Sequence, residues 1–441
     1  VSGALNRDAL TPTASVPPVR IVHLGLGAFH RSHQAWYTWH ASDAPDWGIA
    51  AYTGRRPDAA DALSGQGGVY TLVERGPVRD RFELIGSIVK AVPGDDLRDF
   101  VDTLASPDVA VLTLTITEAG YRLDAAGSLD LDDREVASDI DELRKHLTGA
   151  DASQPAAPTT AVGRILLGLN ERRLRAAPPL ALVPCDNLPA NGSVVASALT
   201  AFAQQVSDEL AGWLPRGVSF VSTSVDRITP RLEPADRELV AAATGLLDTS
   251  PVVAERFSDW VLSGDFPSGR PRWESAGARF VDDITPWENR KLWMLNGAHT
   301  LLASAGSLRG HVTVAEAFAD PRCRAQVELL WDEAAAHLTN VETDDYRHAL
   351  AERFANPRIV HRLAQIAEGA QTKLRLRIVP VALDERAAGR PATGCATAIA
   401  AWALVQSREP QDALRELSAQ LADDEPFAAL VRRTATTLTA E

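Results

Sequence analysis

One stretch of the chain sets groups able to do acid–base chemistry in an otherwise apolar run: Arg290-Lys291-Leu292-Trp293-Met294-Leu295-Asn296-Gly297-Ala298-His299-Thr300. Its pattern predicts a helix. At ~100° per residue, Lys291, His299 and Asn296 fall near ~0°, ~80° and ~140°, so they share one side, with Lys291 and His299 ~12 Å apart along the axis. The chain holds four lysines (Lys90, Lys145, Lys291 and Lys373) among its 44 Lys and Arg residues. Arginine stays charged in proteins, whereas a desolvated lysine can lose its proton and act as a base. Lys291, kept beside an amide and an imidazole, is therefore a candidate general base. The structural alternative is a snorkelling surface lysine, an amide bonded to backbone and a core histidine.

Such a helix needs a scaffold, and composition bounds what it is. A chain of 441 residues, 45% hydrophobic and 23% charged, reads as a soluble globular protein of two or three domains. A net charge of -14 argues against nucleic acid or an anionic membrane as partner, since both attract basic surfaces. Cys185, Cys323 and Cys395 are too widely spaced for a disulfide framework or a CxxC metal site, which fits a reducing compartment. No apolar run reaches about 18 residues, and the start of the chain has no charged segment followed by an apolar one. The expectation is a cytoplasmic protein, monomeric or a small homo-oligomer.

The first half alternates strand and helix signals. Val19 to Leu24 reads as a buried strand running into Gly25-Leu26-Gly27-Ala28-Phe29-His30-Arg31, with a helix expected through His40. Strand, Gly-x-Gly and helix together can hold a pyrophosphate on backbone amides, although His30 stands where a third glycine is usual. A second strand over Trp47 to Thr53 ends in Gly54-Arg55-Arg56-Pro57-Asp58. An acidic residue there would bond the adenosine ribose of NAD, and an arginine the 2′-phosphate of NADP; both residue types are present, so NAD is expected with NADP possible. Four histidines between His23 and His40 raise a metal reading, but no cysteine or clustered carboxylate joins them, and no metal is expected. A hairpin is expected from Tyr70–Val73 and Phe82–Ile88, a helix over Asp95–Ala105 and a parallel-sheet strand over Val109–Ile116. Further strands are expected at Leu180–Pro184 and Val218–Val225, with helices at Ala161–Ala176 and Val194–Leu210. Three of these strands end in polar turns: Thr117-Glu118-Ala119-Gly120-Tyr121, Cys185-Asp186-Asn187 and Asp226-Arg227. From about Pro286, Ala-, Leu- and Arg-rich helical patterns take over. The expected fold is α/β: a Rossmann-like dinucleotide-binding domain with insertions over residues 1–285, then a mostly α-helical domain over 286–441 that carries Lys291.

Several stretches taken in order resemble the polyol-specific long-chain dehydrogenase/reductase family, which contains mannitol 2-dehydrogenases, arabinitol dehydrogenases and the fructuronate and tagaturonate reductases. They are Gly25 to Gln34, Thr117 to Tyr121, Cys185 to Gly192, Val225 to Pro230, Lys291 to His299, and Asn356-Pro357 through Lys373. The resemblance implies Lys291 as general base, Asn187 and Asn296 steadying an alkoxide, and His299 orienting a substrate hydroxyl. It implies a nicotinamide cofactor held at Gly25, Gly27, Ala28, Phe29, Arg31, Arg55, Thr117, Glu118 and Asp226. Arg362, Gln365 and Lys373 would face the substrate. The family often has Asp-Gly-Ser before the second lysine, where this chain has Gly369-Ala370-Gln371-Thr372, and a proline where it has Arg375. The substrate thus stays open between a polyol/ketose pair and a hexuronate. A nucleotide- or S-adenosylmethionine-binding protein without hydride chemistry is the competing class.

Overall fold

The computed structural model describes residues 3–10, 15–54, 56–147 and 156–440. It contains two compact units, Val1–Arg75 with Arg79–Ile284, and Gly76–Val78 with Thr285–Glu441.

The first unit is built on six strands: β1 (Val19–Leu24), β2 (Gly48–Tyr52), β3 (Ile88–Val92), β4 (Val111–Leu114), β5 (Leu180–Pro184) and β6 (Val218–Phe220). They lie in the order β3-β2-β1-β4-β5-β6, every neighbouring pair parallel. This is the doubly wound order of dinucleotide-binding folds. Successive side chains of a strand point to opposite faces, and both faces are covered here. Val22, Leu24, Leu112, Leu114 and Leu182 join one core with Phe100, Leu166 and Leu199. Ile21, Ile49, Val111, Ala181 and Val183 join the other with Tyr37, Leu63, Trp260 and Trp273. Burial on both faces is why these strands read as near-continuous apolar runs.

Three expectations need correction. The Val218–Val225 strand is two: the chain leaves the parallel sheet after Phe220, and Ser222–Asp226 pairs antiparallel with Asp259–Ser263 in a separate sheet. The hairpin is Tyr70–Arg75 against Asp80–Ile85, and Ile88 begins β3, a strand not expected. The Val194–Leu210 helix runs from Asn191 to Val206 and a second helix starts at Asp208, because the Ser207 hydroxyl accepts from the Leu210 amide and opens a new N-terminus. The sequence pattern also predicts a low-complexity loop over Gly149–Thr160, most of which lies outside the described residues.

The second unit is helical. Gly297–Leu308 and Thr393–Val405 pack together, and nearly every side chain on both is buried. Their all-round apolar composition puts them at the centre of the unit. Gly394 lets its backbone approach a neighbouring helix: a Cβ there would lie 2.7 Å from the Leu330 amide nitrogen. The start of this helix has no side-chain cap of its own. Buried Glu333 supplies one from another helix, its two oxygens accepting from the amides of Gly394 (2.7 Å) and Cys395 (2.9 Å).

Glu333→Ala leaves those two amides buried without acceptors, a loss on the order of 1–3 kcal/mol for an unsatisfied group. The urea midpoint should fall with the slope unchanged. A midpoint equal to wild type would show that the carboxylate does not cap this helix.

Candidate active site

The first unit offers a crevice at the point where the strand order reverses, between β1 and β4. A cavity of about 410 Å³ opens at the carboxyl ends of the strands, lined among others by Gly25, Leu26, Gly54, Thr115, Thr117 and Arg164. Gly25 has φ +112, and a Cβ there would sit 2.1 Å from the Thr115 carbonyl oxygen. Only glycine allows this approach. The Gly25 and Leu26 amides donate to the Tyr52 carbonyl at 2.9 and 2.8 Å, tying the turn to the end of β2. A turn that excludes a side chain, beside a cavity at strand carboxyl ends, fits a dinucleotide.

His30, at the third-glycine position, solves the close-packing problem differently. Its ring stacks on that of His23 in β1 at 3.3 Å between centroids, 9° from parallel. His23 in turn bonds the hydroxyls of Thr113 (2.8 Å) and Thr115 (3.1 Å). Burial lowers His23 to about 3 and holds His30 well below the ordinary imidazole value, so the stacked pair is neutral. His33 bonds the Asp259 carbonyl (3.1 Å) and Gln34 (3.1 Å), and His40 bonds Glu83 (2.9 Å).

The other cofactor candidates are distributed unevenly. Thr117 lines the cavity, whereas Glu118 is exposed and outside its lining. Gly27 caps the short helix Ala28–Ser32, with Ala28 exposed and Phe29 half-buried against the His33 ring. The Arg31 guanidinium is buried and bonds the Ser250 hydroxyl (2.7 Å) and carbonyl (2.5 Å), an internal role. Arg55 lies outside the described residues. Asp226 is buried at the end of its antiparallel strand. Two contributors carry roles that the sequence alone does not assign. Arg164 reaches the Gly94 carbonyl (3.0 Å) from the cavity wall. Asp186 accepts from the Ile116 and Thr117 amides at 3.1 and 2.8 Å. Its neighbour Asn187 is exposed, in the loop between β5 and the helix Asn191–Val206.

In the second unit, the Lys291 segment departs from the expected α-helix. Lys291–Asn296 is a π-helical turn between Thr285–Arg290 and Gly297–Leu308, and the Gly297 amide bonds the Leu292 carbonyl five residues back. The wider turn rotates less per residue, so the angles expected from α-geometry do not hold through it. Donors from other helices share carbonyls of this turn. The Trp331 indole N–H donates to the Met294 carbonyl at 2.9 Å. Arg377 donates to the Thr300 hydroxyl (3.1 Å) and the Asn296 carbonyl (3.4 Å). Lys291, Leu292 and Asn296 are partly exposed in this turn, whereas Trp293, Met294 and Leu295 are buried.

His299 is buried one turn further on. Its ring packs on Phe354 (4.8 Å) and edge-on to His361 (4.7 Å), and its Nε2 has no hydrogen-bond partner among the described residues. Burial, then the positive field of His361, Arg353, Arg377 and Lys373, holds the ring well below the ordinary imidazole value. It is therefore a neutral imidazole whose Nε2 is buried without a partner among the described residues. His361 and Arg353 were not singled out in the sequence, where each reads as an ordinary helical-domain residue. Of the expected substrate contacts, Lys373 bonds the Ile366 carbonyl (2.8 Å), while Arg362 and Gln365 are exposed. Elsewhere in this unit His311, Asp320 and Cys323 lie close enough to suggest a metal. The Asp320 carboxylate is taken by Arg309 (2.6 Å), His311 (3.1 Å) and the Arg322 amide (2.9 Å), so a cation would meet a guanidinium there.

Comparison with known proteins matches both units. Residues 19–275 match the mannitol dehydrogenase Rossmann domain and residues 283–434 the mannitol dehydrogenase C-terminal domain. The chain is 38% identical to D-mannonate oxidoreductase of Escherichia coli (strain K12) over 377 residues, covering 82% of this chain and 75% of that protein. It is 34% identical to mannitol 2-dehydrogenase of Cereibacter sphaeroides over 409 residues, covering 90% and 81%. Among solved structures it is similar to Pseudomonas fluorescens mannitol 2-dehydrogenase in ternary complex with NAD and D-mannitol, with TM-score 0.81, 31% identity, and 99% and 97% of the two chains covered. With both family domains matched in order over most of its length, the chain belongs to the mannitol dehydrogenase family of oxidoreductases.

Proposed function

We propose that the protein interconverts a secondary alcohol of an open-chain polyol, of the mannitol or arabinitol type, and the corresponding ketose, with NAD as its preferred cofactor. The observation that carries this reading is the Lys291 turn: an amine, an amide and a neutral imidazole with an unpartnered nitrogen, gathered on one otherwise apolar helix. A bound nicotinamide supplies the acceptor for the hydride lost from the alcohol carbon. The hydroxyl proton must leave as well, and the Lys291 Nζ is the base that takes it. The side-chain amides of Asn187 and Asn296 donate to the oxygen as its charge develops. His299, held neutral by burial, positions the hydroxyl through Nε2 without placing a second positive charge beside the lysine. In ketose reduction the same lysine returns the proton to oxygen.

A second reading, a hexuronate reductase, is favoured by one specific observation. Arg353, Arg377 and Lys373 impose a positive field on His299, in a chain whose net charge is -14, and a substrate carboxylate would complement it. The E. coli relative named for D-mannonate belongs with this reading.

Two experiments follow. Lys291→Arg keeps charge and bulk but cannot deprotonate near neutrality, so kcat should drop about 10²–10⁴-fold, nearly as far as in Lys291→Ala; wild-type turnover in the arginine variant would make Lys291 structural. Measured kcat/KM across mannitol, arabinitol and sorbitol with NAD or NADP, and fructose, fructuronate and tagaturonate with NADH or NADPH, should favour the polyol/ketose pair and the unphosphorylated cofactor. A preference for the keto acids of about tenfold or more, roughly the worth of one charge-assisted bond, would move the assignment to the sugar acids.

A further inference from the structure

We infer that Asp186 is a positioning residue that locks the cavity-lining turn Thr115–Tyr121 and ties it to the loop carrying Asn187. The part concerning Asn187 rests on the function proposed above.

Thr117 has φ 67 and ψ 160, a backbone region essentially reserved for glycine. It lines the dinucleotide cavity, so the shape of that wall depends on a residue held away from its preferred conformation. Strain of this kind persists only where the surroundings over-determine it. Here the Gly120 amide donates to the Thr117 carbonyl at 2.9 Å, and one carboxylate holds the rest. Asp186 Oδ1 accepts from the Thr117 amide at 2.8 Å, and Oδ2 from the Ile116 amide at 3.1 Å and the Tyr121 hydroxyl at 2.6 Å. Asp186 and Tyr121 are both buried, so bonds among them are not exchanged readily with water. The two amides fix the chain where it enters the strained residue, and the phenol fixes the far end of the turn.

The backbone of the same residue organises the other side. The Asp186 carbonyl accepts from the Leu188 amide (2.9 Å) and the Asn191 side-chain amide (3.2 Å). Asn191 is itself fastened to Thr223 of the next strand, accepting from its amide at 2.8 Å and donating to its carbonyl at 2.9 Å. Asn187 is the intervening residue. A change in the Thr115–Tyr121 turn and a change in the Asn187 loop thus share one side chain and its carbonyl. A helix-starting or merely space-filling role would not require three donors on the carboxylate, nor a threonine in a glycine conformation beneath it.

The test uses the full-length protein, NADH titrated by fluorescence, and steady-state kinetics. Asp186→Asn keeps the volume but replaces one acceptor oxygen by a donor, and should raise the NADH dissociation constant and lower kcat, each by about tenfold or more. Adding Thr117→Gly to that variant supplies a residue to which φ 67 is open, and should recover most of the lost NADH affinity. General destabilisation would not produce that rescue. Tyr121→Phe removes one bond and keeps the two amide bonds, so it should give a smaller loss of affinity and serves if Asp186→Asn does not fold. NADH affinity within twofold of wild type in Asp186→Asn, or in Tyr121→Phe where that variant stands in for it, overturns the inference, as does failure of Thr117→Gly to recover affinity. Wild-type protein that bound no NADH would instead remove the proposed function, since that result does not depend on Asp186.

Discussion

A helix hydrogen-bonded in the ordinary way offers its carbonyls to its own amides four residues on. Around Lys291 donors from other helices share those carbonyls. The Trp331 indole takes the Met294 carbonyl at 2.9 Å, and Arg377 reaches the Asn296 carbonyl and the Thr300 hydroxyl. The turn they meet is the π-helical one of Lys291–Asn296, a wide turn of the kind often found at functional sites. The central helix after it is apolar and buried from Gly297 to Gly306, so the turn cannot relax by exposing backbone to water on that side. The polar groups it presents are therefore fixed by the packing of the whole helical unit, including the helix that Glu333 caps from outside.

The dinucleotide unit meets a related demand at three positions. Gly25 gives up its side chain so that backbone can approach Thr115. His30 gives up its charge so that its ring can stack on His23. Arg227 keeps its charge in the core because the Glu74 carboxylate (2.7 Å), the Ser32 carbonyl (2.6 Å) and the Glu255 carbonyl (3.0 Å) receive it. Buried ions of this sort specify geometry more than they add stability, since desolvation offsets much of the attraction.

What the sequence revealed follows from how far apart the causes lie. β1 and β5 were legible because parallel strands covered on both faces read as unbroken apolar runs, and the Gly-x-Gly directly after β1 marked the ligand edge. β3 was not, since Lys90 interrupts its apolar pattern and is explained only by its ion pair with Asp99 (2.5 Å). The break after Phe220 was hidden because both halves favour extended backbone, and only pairing partners distinguish the two sheets. Lys291, Asn296 and His299 stood out by residue type. The turn that presents them did not, because Trp331 and Arg377 lie 37 and 81 residues from the carbonyls they take. Asp186 was visible as a letter in a motif, but its work at Thr117 spans 69 residues.

If the Lys291 amine is the base, supplying an amine from solution should replace it. The decisive measurement is alcohol oxidation by Lys291→Ala protein, saturated with NAD, over a series of small primary amines. Turnover should start about 10²–10⁴-fold below wild type and rise with amine concentration, more steeply for the more basic amines. Turnover close to wild type with no amine added would show that another group removes the proton, and that the Lys291 turn serves the fold alone.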